Sequence, residues 1–273
     1  MKIRFIFLVL AFYFFSIFSI SVWALEKGVC YPAPGGGSRL ICRAGTMPNI
    51  SYTGDVGLYG TIVLGETAVN GDLRAKGATL NTVVVRGEGS FSNTTASHQV
   101  NFSGNLKTND NTQIQGHITV AGGLSASQSN FNVASVQGDL TAVQSSFLQL
   151  GVDGDVNATE TKFLDSTEIK GRLTAIDSLF LKATEVWGDV LVSSSDFENE
   201  LTLMTDKAVF KRTSTQSVIN KLDDQKEKNI YLQDGTVVNG SIIFKYGIAQ
   251  HNIVHRLSGS IITGEVINGV VKD

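Results

Sequence analysis

Two constellations in this 273-residue chain could do chemistry. The first is a pair of histidines four residues apart, His251 and His255, the spacing with which a helix presents two rings to one zinc ion. The acidic residue that hydrolytic zinc sites place between such histidines is missing, and Asn252-Ile253-Val254 reads as strand. In a strand four residues span about 13 Å, too far for both rings to hold one metal at about 2 Å.

The second constellation is a series of carboxylates that each follow a glycine: Asp72, Asp139, Asp155 and Asp189, with Asp55 and Glu88 at equivalent places. Stacked as a column they could bind cations or a basic surface. They could equally be solvated turns, because aspartate caps turns through its own side chain. Arg172 falls between Asp155 and Asp189 and would neutralise part of such a column. The Gly-Gly-x-Gly-x-Asp pattern that binds calcium is absent, which favours the turn reading.

Paired carboxylates on a β-helix also serve glycan-cleaving enzymes, but these carry longer coils and loops that build a cleft. No Gly-x-Ser-x-Gly elbow, phosphate loop or dinucleotide fingerprint occurs. The sequence therefore predicts no catalytic residue, no metal and no cofactor. A net charge of −3 with few charged residues leaves no broad basic surface for nucleic acid.

Cys30 and Cys42 are the only cysteines and flank a Gly- and Pro-rich segment. A small even count in an exported chain predicts a disulfide closing a short loop. Export itself is read from residues 1–24: Lys2 and Arg4, an apolar run from Phe5 to Trp23, and Val22-Trp23-Ala24 as a cleavage site. The run is long enough that an uncleaved anchor is the second reading, and it is the one expected contact with a membrane. The expected location is the periplasm, the cell surface or the medium.

The elements that position these residues are set by a repeat. Phe131, Phe147, Phe163, Phe180 and Phe197 recur every 16 or 17 residues, each two places after a hydroxyl residue: Ser129, Ser145, Thr161, Ser178 and Ser195. With them recurs a turn of apolar-x-Gly-polar-apolar form, its glycines at Gly71, Gly138, Gly154, Gly171 and Gly188, with weaker copies at Gly54, Gly87, Gly104 and Gly122 and a return at Gly240. Apolar residues two apart on either side of each glycine alternate as in a half-buried strand. A unit this short must stack on copies of itself to bury anything. The expectation is an all-β, single-stranded parallel β-helix of about 17 residues per coil, right-handed, with the phenylalanines as an internal ladder. Glycine at the corners is expected to supply positive φ.

The expected organisation is a signal or anchor at 1–24, a disulfide-closed cap at 25–50, and a regular β-helix at 51–205. A charged insertion at 206–235 and C-terminal coils at 236–273 follow. Roughly a dozen coils predict a rod on the order of 55–60 Å long. The Gly-polar-apolar turns, the short uniform coils and the ending Val266-Ile267-Asn268-Gly269-Val270-Val271 resemble the bactofilin-like, polymer-forming β-helix proteins of bacteria. The resemblance covers residues 51–205 and 236–271 and implies end-to-end self-association without nucleotide or metal. The function expected is a non-catalytic structural or self-assembling module of the bacterial envelope. The alternative is an extracellular β-helix that binds or cleaves carbohydrate. Expected partners are a second copy, an envelope component or a glycan.

Overall fold

A computed structural model describes residues 27–34 and 38–273; the expected signal segment lies outside the described residues. The chain is a parallel β-solenoid of about 14 coils. At about 4.8 Å per coil this makes a rod on the order of 65 Å long. It exceeds the expected length because residues on both sides of the regular repeat also coil.

One coil shows how the repeat works. Leu140–Val143 forms the first face of the rod, and Ser146–Val152 bends across the second and third. The first faces stack in register, Leu140 on Val156, Leu173 and Val190. The second faces stack through the phenylalanines, Phe131 to Phe197. The third faces stack through Val152, Ile169, Val186 and Leu203. Alternate side chains point inward, so each strand buries every second residue.

The phenylalanine ladder is interior. Successive rings lie nearly parallel, with centroids 4.8, 5.8, 4.5 and 4.4 Å apart. Burying one such ring contributes roughly 1.5–3 kcal/mol, and stacking adds about 0.5–1.5 kcal/mol.

The hydroxyl residues before the phenylalanines form a second ladder. The Ser178 hydroxyl donates to the carbonyl of Ile176 at 2.9 Å and accepts the N–H of Thr161 from the preceding coil at 3.3 Å. Ser195 repeats the pattern, donating to Ser193 and accepting from the N–H of Ser178. These hydroxyls are buried, and each satisfies the backbone at the first corner, where a buried N–H without a partner would cost about 1–3 kcal/mol.

The glycines work by closeness. Of the predicted turn glycines only Gly54 has positive φ; the left-handed corner residues of the uniform coils are Gln128, Gln144, Glu160, Asp177 and Ser194, each near φ 50°. The glycine column instead lies where successive backbones touch. The Gly188 N–H donates to the Gly171 carbonyl at 3.1 Å, and a Cβ added at Gly188 would sit 2.6 Å from the Gly171 carbonyl carbon. A Cβ at Gly71 or Gly138 would likewise meet the carbonyl carbon of Gly54 or Gly122.

Three boundaries differ from the sequence reading. The solenoid begins at Arg39: Arg39–Met47 pairs in parallel with Asp55–Asn70, so the expected cap is already part of a coil. Only Val29–Pro32 is antiparallel, laid along Arg39–Met47. Residues 206–235 are not an insertion, for Lys207–Lys211, Ser214–Asn220 and Lys228–Gln233 all stack in the solenoid. Their inward residues, among them Ala208, Phe210, Val218, Ile230 and Leu232, keep the alternation, while the charges other than the buried Lys228 face out or lie in the 221–227 loop.

The coil also lengthens here. Val190, Ala208, Ile230 and Val254 lie one above the other, intervals of 18, 22 and 24 residues. That shift displaces Gly240 from the glycine column. Val238 stacks on Thr215 below Ile262, and Ile242 on Val218, so Gly240 occupies the corner between the second and third faces, under Gly264.

Candidate functional site

The Asp column is part of the turn. Asp55 Oδ1 accepts the N–H of Asp72 at 3.0 Å, Asp72 Oδ1 that of Glu88 at 2.9 Å, and Asp139 Oδ1 that of Asp155 at 2.9 Å. Asp155 Oδ1 accepts the N–H of Arg172 at 2.8 Å. Each carboxylate thus holds the next coil by its backbone, and Asn105 does the same for Gly123. Asp189 instead accepts from the Thr205 hydroxyl at 3.2 Å. A charge-assisted bond to backbone N–H is among the stronger ones, which offsets the repulsion along the column.

The histidine pair is divided between elements. His251 ends the 3-10 turn Ala249–His251, and His255 lies within the strand Asn252–Arg256. The His255 ring stacks on Tyr231 at 4.4 Å, and its Nε2 is 2.8 Å from Asn229 Oδ1. Among the described residues no three His, Cys, Asp or Glu side chains converge as a metal site would need.

A concavity lies on the third face, where a trough of about 500 Å³ crosses five coils. Gly151 forms part of its floor; a Cβ there would meet nothing within 4 Å, so its missing side chain only deepens the trough. Glu168, Glu185 and Glu200 line one end beside Lys221. Glu168 and Glu185 are direct neighbours in register, and neither makes an ion pair among the described residues. Like charges placed opposite each other on adjacent strands destabilise a sheet. Lys170 borders the adjoining hollow and is bound to Asp153 at 2.7 Å; that hydrogen bond raises its pKa above the ordinary lysine value. The glutamates were legible as a repeated Thr-Glu-apolar triplet at 167–169 and 184–186, 17 residues apart.

The two ends of the described rod differ. At the first, Val29–Pro32 covers Arg39–Met47 and the Cys30–Cys42 disulfide ties the pair at directly opposed residues. At the other, Ile261–Ile262, Val266–Ile267 and Val270–Lys272 pair on one side only. Ile261, Ile267, Val270 and Val271 are exposed there. Arg256 clamps Asp273 with two hydrogen bonds of 2.6 and 2.7 Å, which lower the Asp273 pKa below the usual carboxylate value.

The disulfide is consistent with a location outside the reducing cytoplasm. In comparisons with family models, with curated proteins and with solved structures, the chain matches none.

Proposed function

We propose that this protein is a non-catalytic, exported β-solenoid that serves as a structural, self-assembling or interaction module of the bacterial cell envelope. The observation that carries this reading is the last coil, where strands paired on one side coincide with exposed Ile261, Ile267, Val270 and Val271. Such an edge is a template for adding another chain. The repeat style shared with bactofilin-like proteins supports end-to-end contact, and the disulfide supports export.

Electron microscopy and small-angle scattering of residues 25–273 over a concentration series test it. Rods that lengthen with concentration, and stay at the single-rod length in Ile261→Lys/Ile267→Lys, are expected, because edge lysines block strand addition. A chain that remains one rod at every concentration would overturn self-assembly. Removing the Cys30 strand should allow further lengthening if it caps the opposite end.

The trough on the third face favours a second reading, binding or cleavage of an extracellular glycan. Binding by the monomer to a glycan array, lost in Glu168→Gln/Glu185→Gln, would support it. The Asp column is a poor target for this test, since its carboxylates hold the backbone.

A further inference from the structure

A buried lysine lies beside a buried asparagine where the coils lengthen. Lys228 begins the strand Lys228–Gln233 and is 1% exposed; Asn252, its in-register neighbour in the next coil, is fully buried. Both lie two residues before the first-face column of Val190, the offset at which Gly154, Gly171 and Gly188 sit in the uniform coils, where the backbone leaves no room for a Cβ. Here the longer corners 221–227 and 245–251 open the space.

The groups are arranged for a reaction. Asp224 Oδ1 is 3.1 Å from Lys228 Nζ, which also donates to the Asp224 carbonyl at 2.9 Å. The Asn252 amide is held by its nitrogen, which donates to the carbonyls of Tyr246 and Asn268 at 3.2 and 2.8 Å. Its Oδ1 is buried and has no hydrogen-bond partner among the described residues. An unsatisfied buried oxygen is costly and calls for an explanation. Gly247 stands over both the amine and the amide: a Cβ there would lie 3.0 Å from Lys228 Nζ, 3.1 Å from Asn252 Oδ1 and 3.5 Å from Asn252 Nδ2. The amine and the amide thus both border the space under Gly247, and Lys228 and Asn252 are themselves buried.

We propose that Lys228 and Asn252 join in an intramolecular isopeptide bond, with Asp224 as the proton carrier. Nζ passes a proton to the Asp224 carboxylate, and its freed electron pair forms a bond to Asn252 Cγ while the carbonyl electrons move onto Oδ1. The carbonyl then re-forms, the Cγ–Nδ2 bond breaks, and Nδ2 leaves as ammonia after taking one proton from Nζ. Asp224 gives up the proton it carried, so an ammonium side chain and a primary amide become a secondary amide and an ammonium ion. No oxidant or reductant is needed. Holding the two partners buried and in register on neighbouring coils supplies the effective concentration that an uncatalysed amide exchange lacks. The bond would be a covalent rung between two of the coils that lack the phenylalanine ladder.

Mass spectrometry of the purified, reduced chain tests this on the unmodified protein. The expected mass is lower than the sequence mass by one ammonia, and protease digestion should yield a branched peptide joining Lys228 to Asn252. Cyclisation at Asn70, Asn239 or Asn268, each followed by glycine, would also release ammonia but leaves linear peptides. The branched peptide should vanish in Lys228→Arg and in Asp224→Ala. Recovery of Lys228 and Asn252 in separate linear peptides from the folded wild-type chain would overturn the proposal, whether or not the variants fold.

Discussion

The coils from Asn130 to Leu203 and those from Lys207 to Lys272 build the same rod by different means. In the first group three inward columns repeat along most of their length: Phe on Phe, hydroxyl on hydroxyl, Ala142 on Ala158 and Ala175. In the second the phenylalanine position becomes Thr215, Val238 and Ile262, and the glycine position becomes Asp206, Lys228 and Asn252. Identical neighbours keep the coil at 16 to 17 residues because each corner must fit the one below. Once the ladders stop, corners grow, and single polar contacts such as Lys228–Asp224 take over. The difference teaches that uniformity here is scaffolding, and that individual chemistry sits where it ends.

The largest test of that contrast is the ladder. Phe163→Ala should destabilise by about 3–5 kcal/mol. Val238→Ala, at the equivalent position of a longer coil, should cost about 2 kcal/mol, the transfer energy of its two lost carbons. The shift in chemical-denaturation midpoint at constant slope would measure both, and equal losses would break the distinction. Next come two glycines of opposite kind. Gly188→Ala should cost about 1–3 kcal/mol, because its Cβ meets backbone. Gly151→Ala, with open space above it, should be neutral or stabilising by up to about 1 kcal/mol, read in the same unfolding assay.

A smaller effect separates hydrogen bonding from charge in the Asp column. Asp155→Ala should lose about 1 kcal/mol by releasing the Arg172 N–H, whereas Asp155→Asn keeps an acceptor and should be nearly silent. Equal loss in both would mean that the charge matters more than the bond. The smallest concerns the left-handed corner. Glu160→Gly relieves about 1–2 kcal/mol of strain and adds about 0.5–1 kcal/mol of chain entropy, so stability should change by no more than about 1 kcal/mol.

These contrasts follow what the sequence carries. The phenylalanine period and the alternation around it were enough for the solenoid, because stacking identical residues leaves a periodic trace. The role of the glycines was not legible: close approach between coils 17 residues apart leaves the same letter as a positive φ. Gly240 followed the local pattern but sits at another corner, since apolar-x-Gly-polar-apolar describes any bend between two strands. The strands at 207–233 were hidden by their charges, most of which lie outward or in the 221–227 loop. Arg39–Met47 was hidden by lacking the glycine turn. The glutamates of the trough could be found by aligning outward residues at the repeat period. The Lys228–Asn252 pair could not, for it exists only because the coil changes length between them.

The central claim is that the uniform coils are scaffold and the last coil is the contact surface. Hydrogen–deuterium exchange of residues 25–273, followed peptide by peptide across a concentration series, tests it most directly. Protection should rise with concentration in 261–272 alone, while 131–203 stays strongly protected and unchanged. Exchange in 261–272 that is equally fast at every concentration, or a gain in protection centred on 131–203, would contradict it.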